Sequence, residues 1–197
     1  RLTDVTGVQT CALPILMDGE AVLHPTPLKY TLYPSEPTCA GAEIFLNGSQ
    51  AGVRYELRLN GNIPIVQKDG DPGQPLLSFG PQYLQGNYTV HAWFISNPPC
   101  PADMLGSVEL NPRPLQQHII PQGVLCEEQY IGLDNSESGV TYSLLRDGSV
   151  VSTKSGTGAF FYFDEIQPAG FYTVTGAYDL TLCTDTMLNP EIGRAHV

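Results

Sequence analysis

The chain has 197 residues, a formal net charge of −11 at pH 7 and a charged fraction of 15%. Such an acidic chain repels phosphate backbones, which argues against nucleic acid as a partner, and no apolar run reaches the roughly 18 residues of a membrane span. Twenty glycines, seventeen prolines and many β-branched and aromatic residues favour turns and strands over helices.

The two ends of the chain match each other rather than the sequence between them. When Ile192–Val197 is written as ATCGGAAGAGCACACGTC, the reverse complement shifted by one base encodes the hexapeptide Thr10–Ile15. One oligonucleotide read from both strands therefore accounts for both ends, and it resembles a sequencing adapter. We interpret residues 1–15 and 191–197 as an adapter scar and exclude them from the predicted fold.

A long internal repeat organises the rest of the chain. The stretch CAGAEIFLNGSQAGVRYEL from Cys39 recurs as CEEQYIGLDNSESGVTYSL from Cys126, an offset of 87 residues. The same offset aligns MDGEAVLHPTPL from Met17 with MLGSVELNPRPL from Met104. We therefore predict the last strand of a preceding repeat and its linker over 16–27, a whole repeat over 28–110, a linker over 111–114, and a second repeat over 115–190 that lacks its last strand.

Alternating apolar and polar residues predict seven strands in the first repeat. They are Leu28–Tyr33, Glu43–Leu46, Val53–Leu59, Ile63–Gln67, Leu76–Phe79, Asn87–Ile95 and Ser107–Leu110. Seven short strands in one repeat predict an all-β fold of tandem immunoglobulin-like β-sandwiches.

Two tyrosines lie just after a glycine at the start of the sixth strand of each repeat. Such a position predicts that Tyr88 and Tyr172 are corner tyrosines, whose hydroxyls bond the backbone of the preceding corner. The alternative is that both are ordinary core tyrosines.

The repeat motif from Cys39, followed by GNYTV from Gly86 and a cysteine before the final strand, resembles the tandem Ig-like repeats of large bacterial surface proteins. These include gliding-motility adhesins and relatives exported by the type IX system. The second repeat departs from the pattern, with Glu127-Glu128 where the first has Ala40-Gly41, which puts the local turn in doubt.

The resemblance implies an exported, extracellular or cell-surface array without enzymatic activity, acting as a stalk or adhesin. Its implied partners are neighbouring repeats of the same chain and a host or matrix glycan or protein, without membrane insertion of this segment. Two alternatives stay open: a ligand-binding Ig-like module in its own right, and an accessory β-domain array of a secreted hydrolase.

No residue pattern predicts a catalytic, cofactor-binding or metal site. The chain has no nucleophile elbow, zinc-spaced histidine pair or phosphate loop. KDGDPG, Lys68–Gly73, has the Asp-x-Asp of a calcium loop but lacks the terminal glutamate, and the second repeat carries TKSGTG there. A polar turn is the better interpretation.

One sheet face is a candidate binding patch. Alternation predicts that Arg54 and Arg58 on one strand, and His91 and Trp93 on its neighbour, project from the same exposed face, as Trp and Arg do on contact surfaces. The second repeat replaces the patch with uncharged residues: Thr141, Ser143, Leu145, Thr175 and Ala177. The alternative interpretation is a lone tryptophan covered by arginine stems.

Four cysteines remain after the scar is removed: Cys39, Cys100, Cys126 and Cys183. Export and an even count predict structural disulfides. Cys39 and Cys100 are predicted at opposite ends of one sandwich, about 20 Å apart, whereas a disulfide needs Cα atoms within about 7 Å. End-to-end repeats would instead bring Cys39 near Cys183, although a shifted first or second strand would restore the pair Cys39–Cys100.

Overall fold

The computed structural model of the chain describes residues 24–96, 99–121, 126, 128–164 and 167–188. All regular structure in these residues is β, in sixteen strands that form four sheets around two hydrophobic cores. Both ends interpreted as adapter, and the predicted strand Met17–Leu23, lie outside the described residues.

The first sandwich contains nine strands. They are β1 (Leu32–Tyr33), β2 (Thr38–Cys39), β3 (Ala42–Leu46), β4 (Val53–Leu59), β5 (Ile63–Asp69), β6 (Leu77–Gln82), β7 (Gly86–Phe94), β8 (Ala102–Asp103) and β9 (Val108–Asn111). One sheet has the order β1-β3-β6, and the other has the order β2-β9-β7-β4-β5, with β8 also pairing with β7. Alternate residues of β4, such as Tyr55 and Leu57, are fully buried between the two sheets.

The second sandwich repeats this arrangement with seven strands. They are β10 (Ile119–Ile120), β11 (Gly132–Leu133), β12 (Val140–Arg146), β13 (Ser149–Ser155), β14 (Phe161–Tyr162), β15 (Tyr172–Tyr178) and β16 (Thr184–Thr186). The sheets have the orders β10-β11-β14 and β13-β12-β15-β16. The prediction of tandem Ig-like β-sandwiches is confirmed.

The sequence missed two short strands in the first sandwich. The predicted first strand Leu28–Tyr33 is regular only over β1, and β2 and β8 were not predicted. A two-residue strand shows no alternation, so pairing alone defines it. β2 runs parallel to β9, with Thr38 opposite Leu110, and β8 extends the edge beside β7, with Ala102 opposite Ala92.

Because the second repeat is predicted to lack its last strand, the strand predicted over Phe171–Tyr178 is expected to have one uncovered edge; in the structure the corresponding strand, β15, is partly covered. β16 pairs with β15 at Thr175, Gly176 and Ala177. In the first sandwich β9 covers the other half of the equivalent strand, at Gly86–Tyr88. The Val174 carbonyl accepts the Met187 amide at 2.8 Å. Among the described residues no strand pairs with Tyr172 and Thr173 on that side, so the uncovered edge is confined to the beginning of β15.

In the turn that the Glu127-Glu128 substitution put in doubt, Glu127 lies outside the described residues, and Glu128 can be compared with its counterpart Gly41. Gly41 has φ +93°, and Glu128 has φ +67°, in the same left-handed region. The Gly41 amide donates to the carbonyl of Gln82 at the end of β6. The Glu128 amide donates to the carbonyl of Gln167, which lies between β14 and β15. This conformation costs a residue with a Cβ about 1–2 kcal/mol, so the surrounding contacts hold the turn.

Both predicted corner tyrosines bond the loop that precedes their strand. The Tyr88 hydroxyl donates to the Leu84 carbonyl at 2.8 Å, and the Tyr172 hydroxyl donates to the Pro168 carbonyl at 2.7 Å. Each acceptor lies four residues upstream. Burial raises the pKa of both hydroxyls, so each stays a neutral donor at physiological pH.

Candidate functional site

The four residues of the predicted patch lie on one outer sheet face of the first sandwich. β4 and β7 pair so that Arg54 is opposite Trp93 and Arg58 is opposite Thr89. His91 lies between them, opposite Glu56. Residues directly opposite each other in an antiparallel pair project to the same side of the sheet, so the structure brings Arg54, Arg58, His91 and Trp93 together.

Both arginines of this face are ion-paired with acidic side chains. Arg54 makes two hydrogen bonds to Asp69, from Nε at 2.7 Å and from Nη2 at 3.1 Å. Arg58 Nε donates to Glu56 at 2.6 Å, and Gln67 Nε2 donates to the other oxygen of Glu56 at 2.6 Å. The bonds from Gln67 and Arg58 lower the pKa of Glu56, and Arg54 lowers the pKa of Asp69. The face therefore carries paired charges, not a free positive patch.

The aromatic half of the face is held by the edge strand β8. His91 Nδ1 lies 2.7 Å from Asp103 Oδ1, and the imidazole and indole centroids are 5.9 Å apart at a tilt of 40°. Trp93 is half-buried. The result is a flat polar surface with one partly exposed indole, which suits contact with another surface rather than enclosure of a small molecule.

The corresponding face of the second sandwich is rich in hydroxyl groups. Thr141 lies opposite Ala177, Ser143 opposite Thr175 and Leu145 opposite Thr173. On the other side, Thr141 and Ser143 face Ser155 and Thr153 of β13. The same sheet thus presents two chemically different faces in the two sandwiches.

The junction between the sandwiches is closed by a disulfide. Cys39, at the end of β2, bonds Cys183, which directly precedes β16, with their Cα atoms 5.5 Å apart. This is the inter-repeat pairing of the two that the sequence left open. Cys100 and Cys126 are free. The predicted separation of Cys39 from Cys100 by the length of a strand explains why they do not pair.

Arg113 of the linker is a functional residue that sequence reasoning missed. Its Nε donates to the Ala40 carbonyl of the first sandwich at 2.6 Å, and its Nη1 donates to the Thr184 carbonyl of the second at 2.8 Å. A single guanidinium therefore bridges the residues that follow the two bonded cysteines. The signal was present in the repeat comparison, since the upstream copy of this linker carries Thr26 at the same position.

Two further contacts fix the linker to the second sandwich. Gln116 Nε2 donates to Asp185 at 3.3 Å. Glu137 accepts the Leu115 amide at 2.5 Å and the Tyr178 hydroxyl at 2.8 Å. The Glu137 carboxylate raises the pKa of Tyr178 to about 12.

A cleft of about 850 Å³ opens beside this junction. The first sandwich contributes Gly41, Tyr83 and Leu84, the linker contributes Arg113, and the second sandwich contributes Leu115 and Asp185. Tyr83 is 74% exposed and Leu115 is 66% exposed. The cleft is an open groove whose two walls belong to different sandwiches, so its shape depends on the junction.

The KDGDPG turn shows no metal-binding arrangement. Asp69 pairs with Arg54, and Asp71 accepts the Gly73 amide at 2.9 Å, closing a tight turn. Across the described residues, no group of three or more His, Cys, Asp or Glu side chains could hold a metal ion.

A search of the part of the chain that the structure describes finds no helix long and apolar enough to cross a membrane.

Comparisons with known proteins give only distant likenesses. No family model matches the chain, and no curated protein is similar to it. Among solved structures, a two-domain fibronectin type-III segment from chicken tenascin is 10% identical, over 83% of this chain and 97% of that one, with a TM-score of 0.41. The BSP domain of a biofilm associated protein is 16% identical, over 86% of this chain and 30% of that one, with a TM-score of 0.32. Fibronectin(III)-like modules of Clostridium thermocellum CbhA are 14% identical, over 78% of this chain and 87% of that one, with a TM-score of 0.28. At these values, any conclusion about function rests on contacts within this chain.

Proposed function

We propose that the chain is a structural segment of an exported bacterial surface protein, in which Ig-like repeats are locked end to end to form a stiff spacer. The repeat units are residues 28–110 and 115–190, joined by the linker 111–114. The observation that carries the proposal is the junction, where the Cys39–Cys183 disulfide and the Arg113 bridge join the same two ends.

The disulfide supports an exported location. Disulfides persist in oxidising compartments and are rare in the cytosol. This bond links two sandwiches that each have their own core, so its effect falls on their relative position. The resemblance of the repeats to bacterial surface arrays supplies the rest of the proposed context.

The linker supports stiffness rather than free rotation. Pro112 and Pro114 flank Arg113, and a proline ring fixes φ near −65°. Pro114 is buried. Together with the disulfide and the Arg113 bridge, the linker leaves the two sandwiches few ways to move relative to each other.

Small-angle X-ray scattering tests the spacer. We expect the wild-type chain to scatter as one elongated particle of fixed shape. A triple variant, Cys39→Ser with Cys183→Ser and Arg113→Gln, is expected to scatter as two flexibly joined bodies. The matched control, Cys100→Ser with Cys126→Ser, keeps the junction and, without added oxidant, is expected to scatter like the wild-type monomer. Identical curves for the triple variant and the wild type would overturn the proposal.

A second function is favoured by the outer face of the first sandwich. Trp93 and His91 lie together on a face that the second sandwich does not reproduce. A residue that binds a partner need not recur in every repeat, whereas a residue that stabilises the shared fold is expected to recur. We propose that this face contacts a glycan or a protein of the host or matrix. Trp93→Ala is then expected to abolish adhesion to a matrix-coated surface, whereas Thr175→Ala on the equivalent face leaves it unchanged. Equal adhesion of both variants would contradict this role.

A further inference from the structure

The two free cysteines occupy the positions that are bonded at the junction. Cys126 corresponds to Cys39 at the repeat offset of 87 residues, and Cys100 corresponds to Cys183 at 83 residues, after a three-residue and a one-residue deletion in the second repeat. Each sandwich therefore carries one cysteine equivalent to Cys39 and one equivalent to Cys183. The disulfide within the chain joins Cys39 of the first sandwich to Cys183 of the second, and Cys100 and Cys126 stay free. The remaining two lie at the ends of the sandwiches that face away from the junction.

Glu128, two residues after Cys126, has a left-handed φ of +67°, and Gly41, two residues after Cys39, has φ +93°. Each amide donates to a glutamine carbonyl, Glu128 to Gln167 and Gly41 to Gln82. Cys126 is exposed. The end of the second sandwich therefore presents the half of a junction that contains Cys39 in the first.

Cys100 lies in the connection equivalent to that of Cys183, although Cys100 has a left-handed φ of +29° where the second sandwich places that conformation at Leu182. Cys100 lies in the connection between β7 and β8, and Cys183 lies in the connection between β15 and β16. The backbone amide of the last residue of the long strand donates across each connection, from Phe94 to the Pro99 carbonyl at 2.7 Å and from Tyr178 to the Cys183 carbonyl at 3.1 Å. The short strands β8 and β16 then pair with β7 and β15 in the same sense. Cys100 is half-buried, and the outer end of the first sandwich presents the other half of a junction.

We propose that these two ends are complementary docking surfaces for a further copy of the same repeat, so that Cys126 of one copy bonds Cys100 of the next. The inference rests on the proposed spacer function and adds a partner to it. The occupant is a repeat of this kind because the junction within the chain is made of the same two half-sites. With oxidised glutathione as the oxidant, one thiolate attacks the glutathione disulfide and the second thiolate displaces glutathione. Two thiols and one oxidised glutathione thus give one protein disulfide and two reduced glutathiones.

One difference predicts how this second junction behaves. The linker before the first sandwich carries Thr26 where the internal linker carries Arg113. Its short side chain cannot reach carbonyls on two sandwiches as the guanidinium does. The second junction is therefore expected to depend on its disulfide more than the internal one, and copies should separate on reduction.

Single-cysteine variants test the pairing, with Cys11→Ser in every protein so that only the two outer cysteines compete. Cys126→Ser supplies Cys100, and Cys100→Ser supplies Cys126. The two variants are mixed in equal amounts, oxidised with glutathione, and digested without reduction. Random pairing of equally reactive thiols gives about as much mixed disulfide as both symmetric ones together.

We expect the mixed peptide Cys100–Cys126 to exceed the two symmetric peptides together by at least about fivefold, because complementary surfaces raise the local concentration of the correct thiol. The protein that keeps both outer cysteines should form a ladder of head-to-tail oligomers. A random ratio, or an excess of either symmetric disulfide, would overturn the inference. The peptide Cys39–Cys183 is read from the same digest. Its recovery with random outer pairing would leave the spacer within the chain standing and remove only the partner.

Discussion

The two sandwiches share their interior contacts and differ on their outer faces. Ser49 and Ser136 are both buried, and each hydroxyl donates to a backbone carbonyl of another loop. Ser49 joins the loop after β3 to the loop before β6, and Ser136 joins the loop after β11 to the loop before β14. Tyr55 and Tyr142 each accept a backbone amide through their hydroxyls, both at 2.9 Å. These residues, which recur between the two repeats, make the same interior hydrogen bonds in both sandwiches and so stabilise the shared fold.

The residues that do not recur are the ones that distinguish the sandwiches. Arg54 has Thr141 as its counterpart, and Trp93 has Ala177. Arg113 has Thr26 in the upstream linker. Within a tandem repeat, an identity therefore points to folding, and a difference on a shared scaffold points to contacts with something else.

The largest expected effect comes from removing the bond that joins the two sandwiches. The disulfide closes a loop with a sequence separation of 144 residues. Loop-closure entropy predicts that Cys39→Ser with Cys183→Ser costs roughly 5 kcal/mol. We expect chemical denaturation to show this loss together with separate transitions for the two sandwiches. Cys100→Ser with Cys126→Ser should leave the denaturation curve in place, and a similar loss in this control would contradict the assignment.

The corner tyrosines test whether equivalent contacts carry equal weight. Removing only the hydroxyl leaves a backbone carbonyl without its partner, at a cost of roughly 1–3 kcal/mol. Tyr88→Phe and Tyr172→Phe should therefore destabilise their own sandwiches by similar amounts in thermal unfolding. Tyr83→Phe should be near neutral, because Tyr83 is 74% exposed. A comparable loss in Tyr83→Phe would argue against the corner contact.

Alkaline pH is expected to lower the stability of the second sandwich more than that of the first. The pKa of Tyr178 is about 12 in the folded protein, against an ordinary value of 10.0. The neutral hydroxyl is thus favoured by folding, and its stabilising contribution is complete below pH 10 and lost as the pH rises to 12. The first sandwich has Phe94 and Gln50 at these positions, so the second sandwich should lose this extra stability alone.

Glu137→Gln provides the control for that pH dependence. Removing the carboxylate should return the pKa of Tyr178 towards its ordinary value and flatten the alkaline loss in the second sandwich. Tyrosinate absorbance during a pH titration measures the pKa, and unfolding at each pH measures the stability. An unchanged titration in Glu137→Gln would disprove the coupling.

The smallest effect is expected on the outer face of the first sandwich. Arg54→Thr installs the residue that the second sandwich carries at this position. The Arg54–Asp69 pair is exposed, and solvent screens such pairs so that they contribute little to stability. Denaturation midpoints should therefore barely move. A clear downward shift of the denaturation midpoint would mean that this face stabilises the fold rather than serving contacts.

The sequence predicted those parts of the fold that extend over several residues. β4 and β7 are long enough to show alternation, which correctly placed Arg54 and Trp93 on one face. The same alternation places Glu56, the partner of Arg58, on this face. Two other acidic partners escaped prediction, because Asp69 lies two residues beyond the predicted end of its strand and Asp103 lies on the two-residue strand β8.

The junction was predictable only in its covalent part. Strand length separated Cys39 from Cys100, which left Cys183 as the geometric alternative. The bridge from Arg113 depends on how two carbonyls approach each other across the linker. The repeat comparison distinguishes Arg113 from Thr26, but it does not show which carbonyls the guanidinium reaches.

The Cys39–Cys183 bond also determines how the segment responds to mechanical tension. Both hydrophobic cores lie almost wholly between the two cysteines. A pull on the two ends of the chain passes along residues 24–39, crosses the sulfur atoms and leaves along 183–188. The chain inside the closed loop cannot be drawn out, and at about 3.6 Å per residue its 144 residues amount to roughly 500 Å of length held in reserve. The oxidised segment is therefore an inextensible tether, and reduction turns it into an elastic one whose sandwiches can unfold under load.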